Sequence, residues 1–172
     1  AKALCRSIID EKLDILWRCI IYPEHVDKEL ADLMAGAGCT EVSLGFESAS
    51  PKVLKALNKK FSPEDIRQTS DRLAAAGIAR MGFLLLGGPG ETRETVEQSL
   101  AFADRLNLDM LKLTAGIRIY PDTALARQAV KEGIIHQDDT LLSPRFYLSE
   151  KLKEWLPARI KEWAGKRPGL VV

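Results

Sequence analysis

The chain alternates between short apolar runs and longer segments in which apolar residues recur every three or four positions. The short runs have the length and composition of β-strands and lie at Asp14–Ile21, Glu41–Phe46, Met81–Leu86 and within Asp109–Tyr120. Gly116 in the last of these runs indicates a bulge within the strand. A segment with helical periodicity follows each run. Four such β/α units predict a parallel sheet with right-handed helical crossovers. Because a closed eight-stranded barrel typically needs about 250 residues, the pattern predicts an α/β fold that is part of a TIM-like barrel.

Capping residues mark where the predicted helices begin and end. Ser50 and Ser62 each precede a proline, and Thr92 precedes an acidic first turn, which are signals for helix starts. Glycines suited to end a helix follow three periodic segments, at Gly38, Gly77 and Gly133. An apolar face in residues 1–12 indicates one more helix, and a chain that opens within a helix suggests a fragment.

The residues after the fourth β/α unit form a second predicted region. An apolar stripe from Leu148 to Trp163 predicts a helical segment that Pro157 kinks or splits. Lys166–Gly169 has the composition of a frayed tail. We therefore predict a partial barrel over residues 1–135 and a C-terminal helical extension with a tail over residues 136–172.

The third strand is followed by the stretch with the strongest functional signal. Gly87, Gly88, Pro89 and Gly90 end an uninterrupted apolar run and lead into a helix. In α/β proteins, ligands bind beyond the carboxyl ends of the strands, and glycines there let a ligand approach the backbone. The turn lacks the Gly-Lys-Ser/Thr ending of a phosphate loop. A tight strand-to-helix turn that binds nothing explains these residues equally well.

Polar and aromatic residues stand after the other predicted strands. Glu47 and Ser48 follow the second strand, where a carboxylate can accept hydrogen bonds from two ribose hydroxyls, although a solvated acid in a capping loop is the simpler alternative. Lys59 can place an ammonium near an anionic group, or belong to a solvated connector. Arg118 and Tyr120 end the fourth strand, where the tyrosine ring either walls a planar base or packs in the core.

Composition narrows the class of protein. Apolar residues make up 46% of the chain and charged residues 28%, which excludes a disordered chain. The formal net charge of +1 offers no electrostatic case for a nucleic-acid or membrane partner. No apolar run approaches the ~20 residues that span a bilayer, and the first residues do not resemble a signal peptide, so we expect a cytoplasmic location.

The three cysteines, Cys5, Cys19 and Cys39, do not form a recognisable motif. Their spacing matches neither a disulfide framework nor a set of metal ligands. Apolar neighbours surround each of them, which favours small buried thiols, and a shared cluster site is the alternative. The sequence thus predicts neither a catalytic residue nor a metal ligand within this chain.

Taken in order, these motifs resemble the second half of a radical S-adenosylmethionine (SAM) enzyme. The resemblance spans roughly Asp14 to Ile135 and rests on Ala37-Gly38-Cys39, Leu44–Ser48, Val53-Leu54-Lys55, Asn58-Lys59, Ala76-Gly77-Ile78, Leu86–Thr92, Tyr120–Thr123 and Glu132-Gly133. The chain is most similar to the subgroup whose members often carry an N-terminal cobalamin-binding domain. The resemblance implies a partial (β/α)6 barrel, to which this chain supplies the third to sixth strands.

The resemblance also implies contacts to the ribose and the methionine part of SAM. Glu47 matches the polar residue that binds the ribose after the fourth barrel strand, and Ser48 stands beside it. Lys59 matches a basic residue that meets the methionine carboxylate.

Contacts to the adenine are implied for residues further along the chain. Leu85 and Gly87 match the fifth-strand segment that packs on the adenine. Arg118 to Tyr120 match the sixth-strand backbone that binds the adenine edge.

Two departures from the family pattern bear on chemistry. The CxxxCxxC loop that holds a [4Fe–4S] cluster in the family is absent, so we expect the cluster in a part of the protein upstream of Ala1. Arg18-Cys19-Ile20 lacks the acidic residue that some relatives use on the SAM amino group. Without thiolate ligands there is no cluster, and we expect the chain by itself to be inactive.

For the intact protein, the resemblance implies reductive cleavage of SAM to a 5′-deoxyadenosyl radical, followed by hydrogen abstraction or methyl transfer. The implied cofactors are SAM, the [4Fe–4S] cluster and, where the upstream domain is present, cobalamin. The sequence does not identify the substrate, which is a small molecule or of unknown class. A non-catalytic half-barrel for nucleotide binding or assembly is the alternative.

An incomplete barrel also has a consequence for association. It leaves the first strand without a neighbour, and an unpaired strand edge invites pairing with another chain. We therefore expect self-association through this edge, with Trp17, Ile20 and Ile21 adding exposed apolar surface.

Overall fold

The four predicted strands form one parallel sheet in the computed structural model, which describes residues 1–167 and 169–170. The strands are β1 Trp17–Ile21, β2 Cys39–Glu47, β3 Ala79–Leu86 and β4 Met110–Ala115. They lie in the sheet in sequence order, and each neighbouring pair is parallel. The α/β fold with parallel strands is therefore confirmed.

Helices flank the strands, and the three that follow Ser50, Ser62 and Thr92 begin where the capping signals predicted. They are α1 Lys2–Asp10, α2 Lys28–Gly36, α3 Pro51–Ala56, α4 Pro63–Ala75, α5 Arg93–Arg105, α6 Ala124–Lys131 and α7 Leu156–Gly165. Ser62 and Thr92 both form reciprocal capping boxes at the starts of α4 and α5. Within the described residues, no helix combines the length and apolarity needed to cross a membrane.

The two faces of the sheet differ in burial. Alternate residues point to opposite faces of a strand, and the side chains on the helix-covered face, such as Leu44, Phe46 and Leu111, are fully buried. Gly82 belongs to this face, because a Cβ there would lie 2.5–2.9 Å from the side chains of its neighbours. The opposite, concave face is only partly covered and includes Phe83.

One outer edge of the sheet is open along β1. Within the described part of the chain, β1 pairs only with β2, and Leu16 and Ile20 beside this edge are 80% and 77% exposed. Trp17 was expected to be exposed but is half-buried, because its indole N–H donates to the Ala37 carbonyl at 2.7 Å. Ile21 is half-buried as well. Self-association through this edge stays a prediction.

The fourth predicted strand is shorter than the sequence indicated. The prediction ran through Tyr120, but the chain leaves the sheet at Gly116, whose φ of +86° ends the extended conformation. The next residues form β5, Ile117–Arg118, which pairs antiparallel with β6, Phe146–Tyr147, in a separate two-stranded sheet. The predicted bulge at Gly116 is therefore a strand end.

The C-terminal segment joins the main core. Leu152, Leu156 and Trp163 are buried in the same cluster as the helix-covered face of the sheet. Pro157 lies in the first turn of α7, where a proline is well tolerated, so it starts this helix and does not kink a longer one. The boundary drawn at residue 135 stays a prediction.

The predicted frayed tail is attached to α5 as far as it is described. Arg167 forms a paired contact with Asp104 (Nη2–Oδ2 2.6 Å), and its guanidinium lies 4.0 Å from the centre of the Trp163 ring. The Leu111 N–H of β4 donates to the Leu170 carbonyl at 2.6 Å. Pro168 of this tail lies outside the described residues. The prediction of fraying was wrong for Arg167, because its acidic partner Asp104 and its aromatic partner Trp163 both lie outside the predicted tail.

Candidate functional site

Two of the predicted ligand-binding residues meet at the carboxyl end of β2. The Nζ atom of Lys59 lies 3.3 Å from Oε1 of Glu47, and both side chains are mostly covered, with 25% and 22% exposed. The two are twelve positions apart in sequence, and α3 lies between them. The structure thus brings together a carboxylate and an ammonium that the sequence could only place near the same rim.

Glu47 adopts a backbone conformation that is uncommon for its residue type. Its φ of +62° is left-handed, and the pairing of β2 with β3 shifts register between Gly45 and Glu47. Such a conformation costs on the order of 1–3 kcal/mol and concentrates at ligand-binding positions. Gly45 leaves room for the Glu47 side chain, because a Cβ at position 45 would lie 3.3 Å from the Glu47 carboxylate. The strain therefore directs this carboxylate over the concave face.

The side chain of Ser48, which was also predicted to lie at the SAM site, packs against α5. Its side chain is fully buried, and its Oγ lies 3.0 Å from Oγ of Ser99 on α5. Its Oγ also accepts a hydrogen bond from the Ser50 N–H at 3.1 Å. In this arrangement the hydroxyl has no open side toward a ligand. Ser48 holds the loop after Glu47 against α5.

The glycine turn after β3 is closed by a buried acid, Glu91. Its Oε2 accepts hydrogen bonds from the N–H groups of Gly87 and Gly88, the latter at 3.1 Å. Only 3% of Glu91 is exposed, and its Oε1 has no hydrogen-bond partner among the described residues. Burial raises the pKa of this carboxyl, and the two backbone donors partly oppose that shift. The sequence analysis quoted Glu91 in the family motif without assigning it a role.

Gly87 is required here for a reason that the sequence did not show. Its φ is +91°, and a Cβ at this position would lie 2.2 Å from Cδ1 of Leu148. Gly87 is itself buried. The close approach is therefore made by the C-terminal segment of the same chain, whereas the sequence suggested a ligand.

An apolar cavity of about 410 Å³ lies beside this turn. Its walls come from α3, the end of β3 and the turn after it, β5 and the start of α6, and they include Val53, Leu85, Ile117 and Leu125. Glu91 also lines it, and its Oε1 is buried without a hydrogen-bond partner among the described residues. Its volume falls within the range of pockets for small molecules. Of the residues predicted to contact adenine, Leu85 lines this cavity and Gly87 does not.

The predicted adenine-binding backbone, Arg118 to Tyr120, already has partners within the chain. Ile119 N–H donates to the Arg145 carbonyl at 2.8 Å, and the Tyr120 carbonyl accepts from the Thr123 hydroxyl at 2.8 Å. The Arg118 guanidinium lies 4.9 Å from the centre of the Tyr120 ring, which is 54% exposed. Neither side chain lines the cavity; Ile117, just before them, does.

Tyr22 supports Lys59, and the sequence analysis did not single it out. Its Oη accepts a hydrogen bond from the Lys60 N–H at 2.8 Å, and its ring meets the Phe61 ring edge-on at 4.8 Å. Lys59 Nζ lies 5.9 Å from the centre of the Phe61 ring. Tyr22 thus anchors the two residues of the connector that directly follow Lys59. Its position directly after β1, at the same end of the sheet as Glu47, is the signal that was available.

We expect Tyr22→Phe to lower the free energy of unfolding by about 0.5–1.5 kcal/mol, because the Lys60 N–H loses its partner. Tyr22→Ala also removes the aromatic pair and is expected to cost about 1–3 kcal/mol. Urea unfolding monitored by circular dichroism measures both. Tyr120→Phe is the matched control, since its hydroxyl makes no hydrogen bond among the described residues. Equal losses in Tyr22→Phe and Tyr120→Phe contradict the anchoring role.

The thiols lie on the helix-covered side, away from this rim. Cys5 and Cys39 are buried, Cys19 is half-buried, and all three are free. Burial, together with the neighbouring Cys19 thiol, raises the pKa of Cys39 to about 12, so it is a neutral thiol at physiological pH. Within residues 1–167 and 169–170, no three His, Cys, Asp or Glu side chains are grouped to hold a metal ion.

Comparison with known proteins identifies relatives of the chain. The family model for the radical SAM superfamily matches residues 2–103. The chain is 31% identical to the uncharacterized methyltransferase PH0819 of Pyrococcus horikoshii over 128 residues, which cover 74% of this chain and 28% of that protein. It is 30% identical to the heme chaperone HemW of Mycobacterium tuberculosis over 73% of this chain and 32% of that protein.

Solved structures show the same fold. The radical SAM methyltransferase TsrM from Kitasatospora setae, with tryptophan substrate and a SAM analogue bound, matches with a TM-score of 0.76 and 24% identity, covering 97% of this chain and 40% of that one. TsrM with cobalamin and a [4Fe–4S] cluster matches with a TM-score of 0.66 and 28% identity, covering 76% of this chain and 26% of that one. The chain therefore spans well under half the length of these relatives.

Proposed function

The chain belongs to the radical SAM superfamily, and on that premise we propose that it is the SAM-binding portion of a radical SAM enzyme. The observation that carries the proposal is the Glu47–Lys59 pair at the carboxyl end of β2, on the rim of the sheet where the apolar cavity also opens at the end of β3. Ligands of α/β proteins bind at this end of the strands. If SAM does not bind, the alternative function, a non-catalytic half-barrel, is favoured.

The residues present fit the three parts of SAM. The apolar walls of the cavity, including Leu85 and Ile117, suit a planar base. The carboxylate of Glu47 can accept from ribose hydroxyls. The ammonium of Lys59 can pair with the methionine carboxylate, in exchange for its present contact with Glu47.

The chain's own contribution would be binding and orientation. When SAM is bound beside a reduced [4Fe–4S] cluster, its reductive cleavage supplies the radical chemistry of the family. The cluster ligands would come from outside this chain, because the described residues contain no suitable metal-binding group. Glu47 and Lys59 would hold the sugar and the amino-acid part of SAM, and the cavity would keep water from the base.

The proposal also covers the reaction of the intact protein, its substrate and its location. Relatives described as methyltransferases, among them TsrM with cobalamin bound, support methyl transfer or a related radical oxidoreduction in the intact protein. Cobalamin held by another domain would then be a second cofactor. We propose a small-molecule substrate and a cytoplasmic location, with neither nucleic acid nor membrane as partner.

We expect Glu47→Ala to weaken SAM binding by about 1.5–3 kcal/mol, because a charge-assisted hydrogen bond is lost. Lys59→Ala should weaken SAM but leave 5′-deoxyadenosine, which lacks the carboxylate, nearly unchanged. Calorimetric titration of the full-length, cluster-loaded protein with both ligands measures this. Lys55→Ala, an exposed lysine on the intervening helix α3, is the control.

The comparison of SAM with 5′-deoxyadenosine tests whether Lys59 contacts the methionine carboxylate. If Lys59→Ala weakens SAM and 5′-deoxyadenosine equally, or weakens neither, Lys59 is a solvated connector residue with no carboxylate contact. If the unmodified protein binds neither ligand, the proposed function itself is wrong.

A further inference from the structure

The concave face of the sheet below the rim carries an organised chemical pattern. On β4, Lys112 and Thr114 point to this face, because the residues that alternate with them, Leu111 and Leu113, pack into the helix-covered core, where Leu111 is fully buried. In the strand pairing, Lys112 stands opposite Phe83, and Thr114 stands opposite Leu85. A polar column on β4 therefore runs beside an apolar column on β3.

Lys112 is an exposed cation without an ionic partner in the part of the chain that is described. No carboxylate lies within 4.0 Å of its Nζ there, whereas Arg18 reaches Glu41 at 4.0 Å and Lys59 reaches Glu47 at 3.3 Å. Covering an unpaired ammonium with other groups is costly unless an anion accompanies it. Any molecule that occupies this face beside Lys112 therefore binds better if it carries a negative charge.

The neighbouring strands leave space for the rest of such a molecule. Phe83 stands between Lys112 on one side and Gly45 of β2 on the other, and Gly45 has no side chain to fill the face. The carboxylate of Glu47 closes this space on the rim side, 3.3 Å from where a Gly45 Cβ would be. Lys112 lies two residues below Thr114, which is roughly 6.6 Å along the strand. An anion at Lys112 thus places the attached apolar body over Phe83 and toward the rim.

We propose that this face binds a small molecule with one anionic oxygen group, a carboxylate or a phosphate, at Lys112 and an apolar, planar body against Phe83. That this molecule is the substrate rests on the proposed function, because the body then points toward the proposed SAM site. The anion site itself does not depend on it. Lys112 is a specificity-determining residue in this assignment, and Phe83 forms the floor of the site.

Three probes of matched shape test the site on this chain: 3-phenylpropionate, 2-phenylethyl phosphate and the neutral 3-phenylpropionamide. Binding is measured from amide chemical-shift changes in two-dimensional NMR titrations. We expect the anionic probes to shift the Phe83 and Thr114 amides and to bind at least about tenfold more tightly than the amide. The stronger of the two anionic probes identifies carboxylate or phosphate as the preferred group.

Variants separate Lys112 from general surface charge. Lys112→Gln should abolish the preference for the anions and leave the weak binding of the amide unchanged, and Lys112→Arg should restore most of the preference. Lys161→Gln, which removes another exposed lysine on α7, is the control and should change nothing. Because Lys112 is exposed, an unchanged circular dichroism spectrum and thermal midpoint are expected for all of these variants.

Two results overturn the proposal: no preference for anions in the unmodified chain, or equal losses in Lys112→Gln and Lys161→Gln. A SAM titration with the full-length protein keeps this question apart from the proposed function. Charge-selective probe binding without SAM binding leaves the anion site standing and removes the SAM assignment, whereas SAM binding without charge selectivity does the reverse.

Discussion

Gly87→Ala is expected to lower the free energy of unfolding by about 2–5 kcal/mol. A left-handed backbone costs a non-glycine residue roughly 1–2 kcal/mol, and forcing a methyl group into a packed region costs a further ~1–3 kcal/mol. Both apply, since φ is +91° and the new Cβ would lie 2.2 Å from Leu148 Cδ1. Urea unfolding of both proteins measures the loss.

Gly90 in the same turn provides a matched control. Its φ is +75°, but a Cβ there would meet no atom of the described residues within 4 Å, so Gly90→Ala should cost only the roughly 1–2 kcal/mol of the left-handed backbone. Trimming the obstructing side chain in a Gly87→Ala, Leu148→Ala double variant should return part of the loss. Equal effects at Gly87 and Gly90, with no recovery in the double variant, contradict the packing explanation.

Glu91→Ala is expected to destabilise the chain by about 2–4 kcal/mol. It leaves the N–H groups of Gly87 and Gly88 without their acceptor in a buried turn, and each buried donor left unsatisfied costs about 1–3 kcal/mol. Glu91→Gln keeps an acceptor oxygen and should lose less. Thr95→Ala, which breaks the capping box of the following helix, is a control for local damage to α5 and should cost only ~1 kcal/mol.

Glu91 also predicts a pH dependence of stability with a defined sign. Because burial raises its pKa in the folded chain above the ordinary value of 4.5, the folded state holds this proton more tightly than the unfolded state does. Its contribution is therefore fully present below the ordinary pKa and is lost as the pH rises through the raised one. Unfolding free energies of wild type and Glu91→Gln, compared from about pH 4 to about pH 8, should show the wild-type advantage falling with pH. A difference that stays constant, or grows with pH, contradicts the raised pKa.

Most secondary structure could be predicted because its causes are local. The capping boxes at Ser62 and Thr92 depend on side chains three residues away, and the apolar runs of β2 and β3 need only their own composition. The predicted end of the fourth strand was wrong, because it depends on a contact that is distant in sequence. Gly116 looked like a bulge within a strand, and only the pairing of Ile117 and Arg118 with the distant β6 shows that the chain leaves the sheet there.

The candidate site was predictable only in part, for a related reason. Motif order placed Glu47, Lys59 and Leu85 at one end of a parallel sheet, because all strands of such a sheet share an orientation. It could not show that Ser48 is buried against Ser99, since that contact joins residues 51 positions apart.

By itself, the sequence determined the order of strands and helices, the starts of α3, α4 and α5, and the family to which the chain belongs. These follow from short-range periodicity, capping and motif spacing. The tertiary structure alone decided that Leu148 makes Gly87 necessary, that Tyr22 anchors the segment around Lys59, and that Lys112 faces the open side of the sheet beside Phe83. Each of these depends on contacts between elements distant in sequence, and such contacts are set only when the apolar faces of the helices and strands pack together.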